Sequence, residues 1–328
     1  MKVEFIEIKN LYDEWNLECS FDKRVNILSG INGSFKSTLL RIIRELLLNR
    51  NRNKTLLSEV EIQCSDAIKV SYRHFEDSLL ALKKEQNDEL LGELYSQVEA
   101  EWKNVDEKAL SGRTLKADIM TFKKGGVKIT LKEFEQLRNV DFISTFDMPQ
   151  ANGEDKNDNS YLDECLKILE SDYAYYLSDL AKKVTETVIT AGGIEKSIFD
   201  AIYKQNNLFI DIMNRSFKDT GKVIDTNHSK LSFKLEERSL SSKDLSSGEK
   251  QLLIVMLTVL LEREKEYILL MDEPEISMHF EWQCKLIENI LLLNPHCQLI
   301  LTSHSPALIM DGWEQYVLDM SKVRTKKN

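Results

Sequence analysis

The sequence is poor in everything that builds a secreted or membrane-spanning protein. Among 328 residues there are only five cysteines, Cys19, Cys64, Cys165, Cys284 and Cys297. They are scattered, with no CxxC pair and no histidine at ligand spacing, so reduced structural thiols are expected rather than disulfides or zinc. No apolar run reaches the ~20 residues that cross a bilayer. The longest candidate, Leu252 to Leu261, is too short, and Met1-Lys2-Val3-Glu4-Phe5 lacks signal-peptide form. A cytoplasmic protein with no membrane partner is therefore expected. Positive charge is also in the minority, 44 basic against 54 acidic residues for a net charge of −10. That balance excludes a surface coating nucleic acid indiscriminately but leaves room for a local basic patch. No internal repeat or low-complexity tract occurs.

What is present is a charged fraction of 30% and a hydrophobic fraction of 42%. These values describe a globular chain with long exposed helices, large enough for one big domain with a second inserted in it.

Chemistry first shows in Gly30-Ile31-Asn32-Gly33-Ser34-Phe35-Lys36-Ser37-Thr38, set between the apolar run Val25 to Leu28 and the amphipathic run Leu39 to Leu48. A strand entering a glycine-bearing loop, with Lys-Ser-Thr opening a helix, wraps a triphosphate. Backbone N–H groups converge on the phosphate oxygens, the lysine reaches the β and γ phosphates, and the next hydroxyl ligates magnesium. One position departs from the usual spacing of Gly, four residues, Gly, Lys, Ser/Thr, because Phe35 replaces the second glycine. A phenylalanine cannot take positive φ without strain, nor let the backbone approach phosphate as closely.

Around this loop the chain reads as follows. Val3 to Ile8 alternates, with Val3, Phe5 and Glu7 on one face, and Leu17 to Phe21 and Val25 to Leu28 complete three short strands. Tyr12 and Trp15, in the first turn, suit either core packing or stacking on adenine. The helix over 37–49 buries Leu39, Leu40, Ile42, Ile43, Leu46 and Leu47. The basic cluster Arg41, Arg44, Arg50, Arg52 and Lys54 at its end reads as a solvated face or a nucleic-acid contact. Strands over 59–74 precede a charged helical run from Glu76 to about Lys108, then a hairpin turning at Lys124-Gly125-Gly126 and a buried strand over 139–146. Ala151 to Ser160 has almost nothing to bury and reads as a loop or boundary. Tyr161 to Lys218 is helical with a break at Gly192-Gly193, and strands return over Val223 to Glu237.

A second cluster of chemistry follows. Leu245-Ser246-Ser247-Gly248-Glu249-Lys250-Gln251 opens an apolar helix. Ser246 and Glu249 fit a capping box, and the same helix N-terminus can hold a γ-phosphate. Tyr267 to Met271 is a buried strand ending in Asp272-Glu273-Pro274, where two carboxylates at an apolar strand end are costly unless needed. Asp272 suits magnesium, and Glu273 suits taking a proton from the attacking water. Gln298 to Thr302 is another strand, running into Ser303-His304-Ser305-Pro306, where the histidine can reach a γ-phosphate or its water.

This order of P-loop, serine-glycine signature, Asp-Glu strand end and Ser-His turn resembles the ABC-type ATPases of the SMC/RecF-like group, over roughly 1–50 and 240–313. More narrowly, DEPEISMHFEWQ with LTSHSPALIMDGW resembles the ATPase subunits of anti-phage systems such as Septu and PARIS. The resemblance implies an α/β fold, an ABC-type P-loop NTPase with a mixed central sheet, an antiparallel side sheet and an inserted helical subdomain. Its layout would be 1–150 for the N-terminal part of the ATPase domain, 151–220 for the helical insertion and 221–328 for the C-terminal part. ATP and Mg²⁺ are the implied ligands. Gly30, Ile31, Asn32, Gly33, Ser34, Phe35, Lys36, Ser37 and Thr38 form the nucleotide loop, and Ser246, Ser247, Gly248 and Glu249 the signature. Ser37 and Asp272 are the implied magnesium ligands, and Glu273, His304 and Lys36 the catalytic residues.

Phe35 bears on the hydrolysis rate more than on binding, since Lys36 and the magnesium hydroxyl remain. The glutamine that the family has after its middle strand has only Gln150 as a candidate. In the family the signature of one subunit closes on nucleotide held by another, so a homodimer or higher oligomer is expected. Relatives in the OLD group carry a nuclease beyond the Ser-His turn, whereas here only Ala307 to Asn328 follow. The expectation is a separate effector protein, a nuclease or toxin, and a DNA or phage-derived trigger. The basic tail Lys322, Arg324, Lys326, Lys327 reads as a contact to such a partner or as a frayed, solvated end. Two alternatives stand: a DNA-repair ATPase acting directly on DNA, which the cluster at 41–54 motivates, and a nucleotide-gated scaffold with little turnover, which Phe35 motivates.

Overall fold

The computed structural model describes residues 1–49, 57–78, 81–82, 91–92, 94–96, 98, 114–144, 160–193, 195–226, 231–310 and 312–327. They form two compact units, Met1–Asp141 with Leu318–Asn328, and Phe142–Val317. The fold is α/β. Gln150, the basic residues Arg50, Arg52 and Lys54, and the polar stretch 151–159 lie outside the described residues.

The first unit carries an antiparallel sheet of seven strands. Its strands are β1 (Val3–Leu11), β2 (Trp15–Ser20), β4 (Glu59–Cys64), β5 (Ile68–Ser78), β6 (Thr114–Lys124), β7 (Val127–Ile129) and β15 (Arg324–Lys326), in the order β15-β2-β1-β4-β5-β6-β7. β4 alternates as a one-sided strand should, with Val60, Ile62 and Cys64 buried. β1 does not keep the expected alternation: Val3, Ile6 and Ile8 are all inside. The register against β4 slips between Val3 and Phe5, a bulge that returns the apolar side chains to the core. β6 and β7 are joined by the two residues Gly125 and Gly126, at φ 58° and 81°, the backbone that a tight hairpin demands and glycine adopts freely.

Two expectations are corrected here. Glu76 and Asp77 do not begin a helix but extend β5, opposite Lys116 and Leu115 of β6, where Glu76 forms an ion pair with Lys116 across the strands. The basic tail is not a frayed end either. β15 pairs with β2, and the Arg324 guanidinium lies 4.9 Å from the centre of the Trp15 ring. In the same unit β3 (Val25–Ser29) is buried along Val25 to Leu28 and leads through the glycine loop into α1 (Lys36–Leu47), which buries Leu39, Leu40, Ile42, Ile43, Leu46 and Leu47.

The chain passes between units at β8 (Val140–Ser144) and β14 (Val317–Asp319). In the second unit a helical hairpin comes first. α3 (Tyr161–Ala191) starts at a Ser160/Asp163 capping box and ends at Gly192 in the left-handed conformation, and α4 (Lys196–Ser216) returns. Before them in the chain, α2 (Leu131–Leu137) is a short helix of the first unit. A small antiparallel sheet follows, β9 (Lys222–Ile224), β10 (Phe233–Leu235) and β11 (Arg238–Leu240).

α5 (Ser247–Leu261) is buried nearly all round, which its almost uninterrupted apolar sequence requires. It packs on α3, α4 and α6 (Phe280–Leu293). β12 (Tyr267–Asp272) and β13 (Cys297–Thr302) pair in parallel with Tyr267 opposite Cys297 and Asp272 opposite Thr302. Both are buried along their length, as parallel strands are, and α7 (Pro306–Ile309) follows. No helix among the described residues is long and apolar enough to cross a membrane, and all five cysteines are free.

Candidate nucleotide site

The nucleotide loop belongs to the first unit. Gly30, at φ 148°, has no room for a side chain: a Cβ there would meet the Ser34 hydroxyl at 2.8 Å. Gly33 is at φ 77°. Ile31, Asn32 and Gly33 are exposed, Ile31 by 72%. Ser34 is buried, and its hydroxyl has no hydrogen-bond partner among the described residues. Lys36 is folded back into the loop, its Nζ donating to the carbonyls of Gly30 at 2.9 Å and Ile31 at 3.3 Å. Ser37 is exposed and Thr38 half-buried. Phe35, the N-cap residue of α1, makes no side-chain cap, and the positive end of the helix dipole at this N-terminus suits an anion.

Phe35 adopts the left-handed conformation at φ 69°, which the loop needs and a non-glycine residue resists. Two rings hold it there. Its ring stacks on Tyr12, centroids 5.7 Å apart and planes at 24°, and tilts against Trp15 at 6.0 Å. Tyr12 and Trp15, read as core or adenine platform, are thus the support of the loop itself. Arg41 and Arg44 are half-buried on α1 rather than displayed as a charged face.

In the second unit the ends of β12 and β13 collect the other groups. The Thr302 hydroxyl donates to Asp272 Oδ1 at 2.6 Å and accepts from the Glu273 N–H at 2.8 Å. Glu273 takes φ 50°, turning its carboxylate out of the strand, and His304 Nε2 lies 3.8 Å from its Oε1. That separation is too long for a hydrogen bond and leaves both groups free to reach a third molecule.

Glu275 was not singled out by sequence reasoning. It is 8% exposed, and its Oε1 accepts from the Ser303 hydroxyl at 2.7 Å, the His304 N–H at 2.8 Å and the Ser305 N–H at 3.2 Å. Gln283 completes the support, bonding the Ser305 hydroxyl at 2.6 Å and the Met278 carbonyl at 2.9 Å. The available signal was a third carboxylate, Glu275, in DEPE.

The signature segment leans on the same turn. Gly248 sits on the Ser277 carbonyl so closely that a Cβ would approach its oxygen to 2.1 Å, and Gln251 donates to the Pro274 carbonyl at 2.9 Å. Ser246 and Ser247 are exposed at the start of α5. Glu249 faces the other way. Its side chain is almost wholly buried, held by Lys222 Nζ at 2.7 Å and by the Thr220 hydroxyl at 3.0 Å, and it closes the capping box with Ser246. Burial alone would raise its pKa, but the Lys222 ammonium and the hydrogen bonds from Ser246 and Thr220 hold it below the ordinary glutamate value. In this structure Glu249 secures the loop instead of presenting itself to a ligand.

Glycine loop, carboxylate-bearing strand end and histidine turn each resemble the corresponding motif of ABC-type P-loop NTPases. Residues 171–311 match the family model described as "AAA domain, putative AbiEii toxin, Type IV TA system". The Septu protein PtuA of Bacillus thuringiensis is 20% identical over 320 residues, covering 90% of this chain and 69% of that protein. An uncharacterised protein of Dictyostelium discoideum is 24% identical over 185 residues, 52% of this chain and 22% of that one. The solved SMC head bound to the C-winged helix domain of ScpA shares the fold, with a TM-score of 0.53 at 14% identity over 94% of this chain and 91% of that chain. The chain thus has the fold of an SMC head, and its motifs resemble those of the SMC/RecF-like ABC ATPases.

Proposed function

We propose that this protein binds and hydrolyses ATP as a dimer or higher oligomer and acts as the regulatory subunit of a separate effector, a nuclease or toxin, in anti-phage defence. The observation that carries the reading is the group at the end of β12, where one threonine holds Asp272 and Glu273 while His304 stands beside Glu273. In this reading Lys36 exchanges its loop carbonyls for the β and γ phosphates, and the N–H groups of the loop and of α1 bind the remaining oxygens. Glu273 orients the attacking water and takes its proton, and His304 steadies the water or the γ-phosphate.

The resemblance makes Ser37 and Asp272 the residues that would hold Mg²⁺; each is a hard oxygen donor, and Asp272 is oriented through Oδ1. When bound, the ion neutralises charge on the β and γ phosphates. Ser246, Ser247 and Gly248 of a second copy close on the nucleotide, so that ATP joins the copies and hydrolysis releases them. The resemblance to the Septu protein supports the defence role and the separate effector, with DNA or a phage-derived molecule as trigger.

The test is Glu273→Gln, with phosphate release and oligomer state measured with and without ATP. Turnover should be lost while ATP-dependent assembly is kept or strengthened. Turnover at the wild-type rate would refute the assignment. A second reading, a nucleotide-gated scaffold with little turnover, is favoured by one observation, the ring-held Phe35 in the nucleotide loop. Tightly bound, unhydrolysed ATP in the purified protein would select it.

A further inference from the structure

We infer that Glu275 is the positioning residue of the histidine turn, fixing where His304 stands relative to Glu273. The inference rests on the proposed role of His304 and adds a residue to it. Three donors from consecutive residues, the Ser303 hydroxyl and the N–H groups of His304 and Ser305, converge on the single oxygen Oε1. Two adjacent N–H groups aimed at one point make an anion-binding concavity, and here a carboxylate of the same chain fills it. The other oxygen, Oε2, is buried and has no partner among the described residues, so the hydrogen bonds of the carboxylate all go to this turn.

The remaining contacts carry the constraint outward. Ser305 is tied to Gln283, which also bonds the carbonyl of Met278 and, at 3.4 Å, that of Glu275 itself. Ser303 is wholly buried, so the turn cannot rotate about its own start without leaving a hydroxyl unpaired. Glu273 and Glu275 belong to one short turn, closed by the Ile276 N–H to the Glu273 carbonyl at 3.2 Å. The carboxylate facing His304 and the carboxylate gripping its backbone therefore move as one piece, and the Glu273 to His304 distance is set by Glu275.

Hydrogen exchange and ATP turnover, measured on the full-length protein, test this. In Glu275→Ala the amides of His304 and Ser305 should exchange about tenfold faster or more, while those of 298–301 in β13 stay protected. Turnover should fall towards that of His304→Ala, and the double variant should be no slower than the His304→Ala single by more than about twofold. Glu275→Gln keeps an acceptor oxygen and should restore part of the protection. If Glu275→Ala does not fold, Glu275→Asp, shorter by one methylene, should show the same loosening.

Unchanged exchange at 304 and 305, or turnover losses that multiply in the double variant, would overturn the inference. Failure of the ATPase reading shows separately, as absent wild-type turnover, and leaves the exchange result to decide on Glu275.

Discussion

Replacing Phe35 by glycine restores the residue usual at its position in the loop, yet the structure predicts a less stable protein. The left-handed backbone at φ 69° costs a non-glycine residue about 1–2 kcal/mol, which glycine would recover. Against this stand two ring contacts, to Tyr12 and Trp15, each contributing about 0.5–1.5 kcal/mol beyond area burial. The half-buried side chain removes further apolar area from water, about another 1 kcal/mol. The rings win, and Phe35→Gly should destabilise by about 1–2 kcal/mol. Phe35→Ala keeps the backbone strain and loses the rings, so it should be the worse of the two by about 1 kcal/mol. Denaturant unfolding gives the order wild type, glycine, alanine. A glycine variant as stable as wild type, or an alanine variant more stable than glycine, would show that the aromatic contacts do not hold the loop. If the ring hold also slows chemistry, Phe35→Gly should raise ATP turnover despite its lower stability.

Other consequences concern the second unit. Gly248→Ala must displace the Ser277 carbonyl, which a Cβ would approach to 2.1 Å, and should cost about 1–3 kcal/mol in denaturant unfolding together with loss of ATP-dependent assembly. Lys222→Met leaves the buried Glu249 without its charge partner and should cost about 3–5 kcal/mol, whereas the paired variant Lys222→Met with Glu249→Leu should recover much of that in the same assay. Because the folded pKa of Glu249 is depressed, its contribution is present above the unfolded glutamate pKa of about 4.3 and is lost as pH falls through the lower folded value. Stability of the wild type measured against pH should therefore fall more steeply below about pH 4 than that of the double variant.

Much of the local structure was legible in residue order. The Gly125-Gly126 hairpin, the break of the helical hairpin at Gly192, the capping box at Ser246 and the strand ends at Asp272 and Thr302 are all short-range matters, decided by backbone freedom, capping and apolar runs. The places of Lys36, Asp272, Glu273 and His304 were legible for the same reason, since each stands beside the element that carries it. β1 and β5 were not, because a bulge in one and the long pairing of the other with β6 overrode the local periodicity.

The sequence by itself determined on which strand ends and helix starts Lys36, Asp272, Glu273 and His304 stand, because those placements depend on neighbours a few residues away. Only the tertiary structure decided what supports them. Phe35 leaning on Tyr12 and Trp15, Glu275 gripping the turn of His304, Glu249 turned inward to Lys222, and a basic tail built into a sheet all join residues distant in the chain. Such contacts follow from packing and from the need to satisfy buried polar groups, and these are conditions on the folded whole that no local pattern encodes.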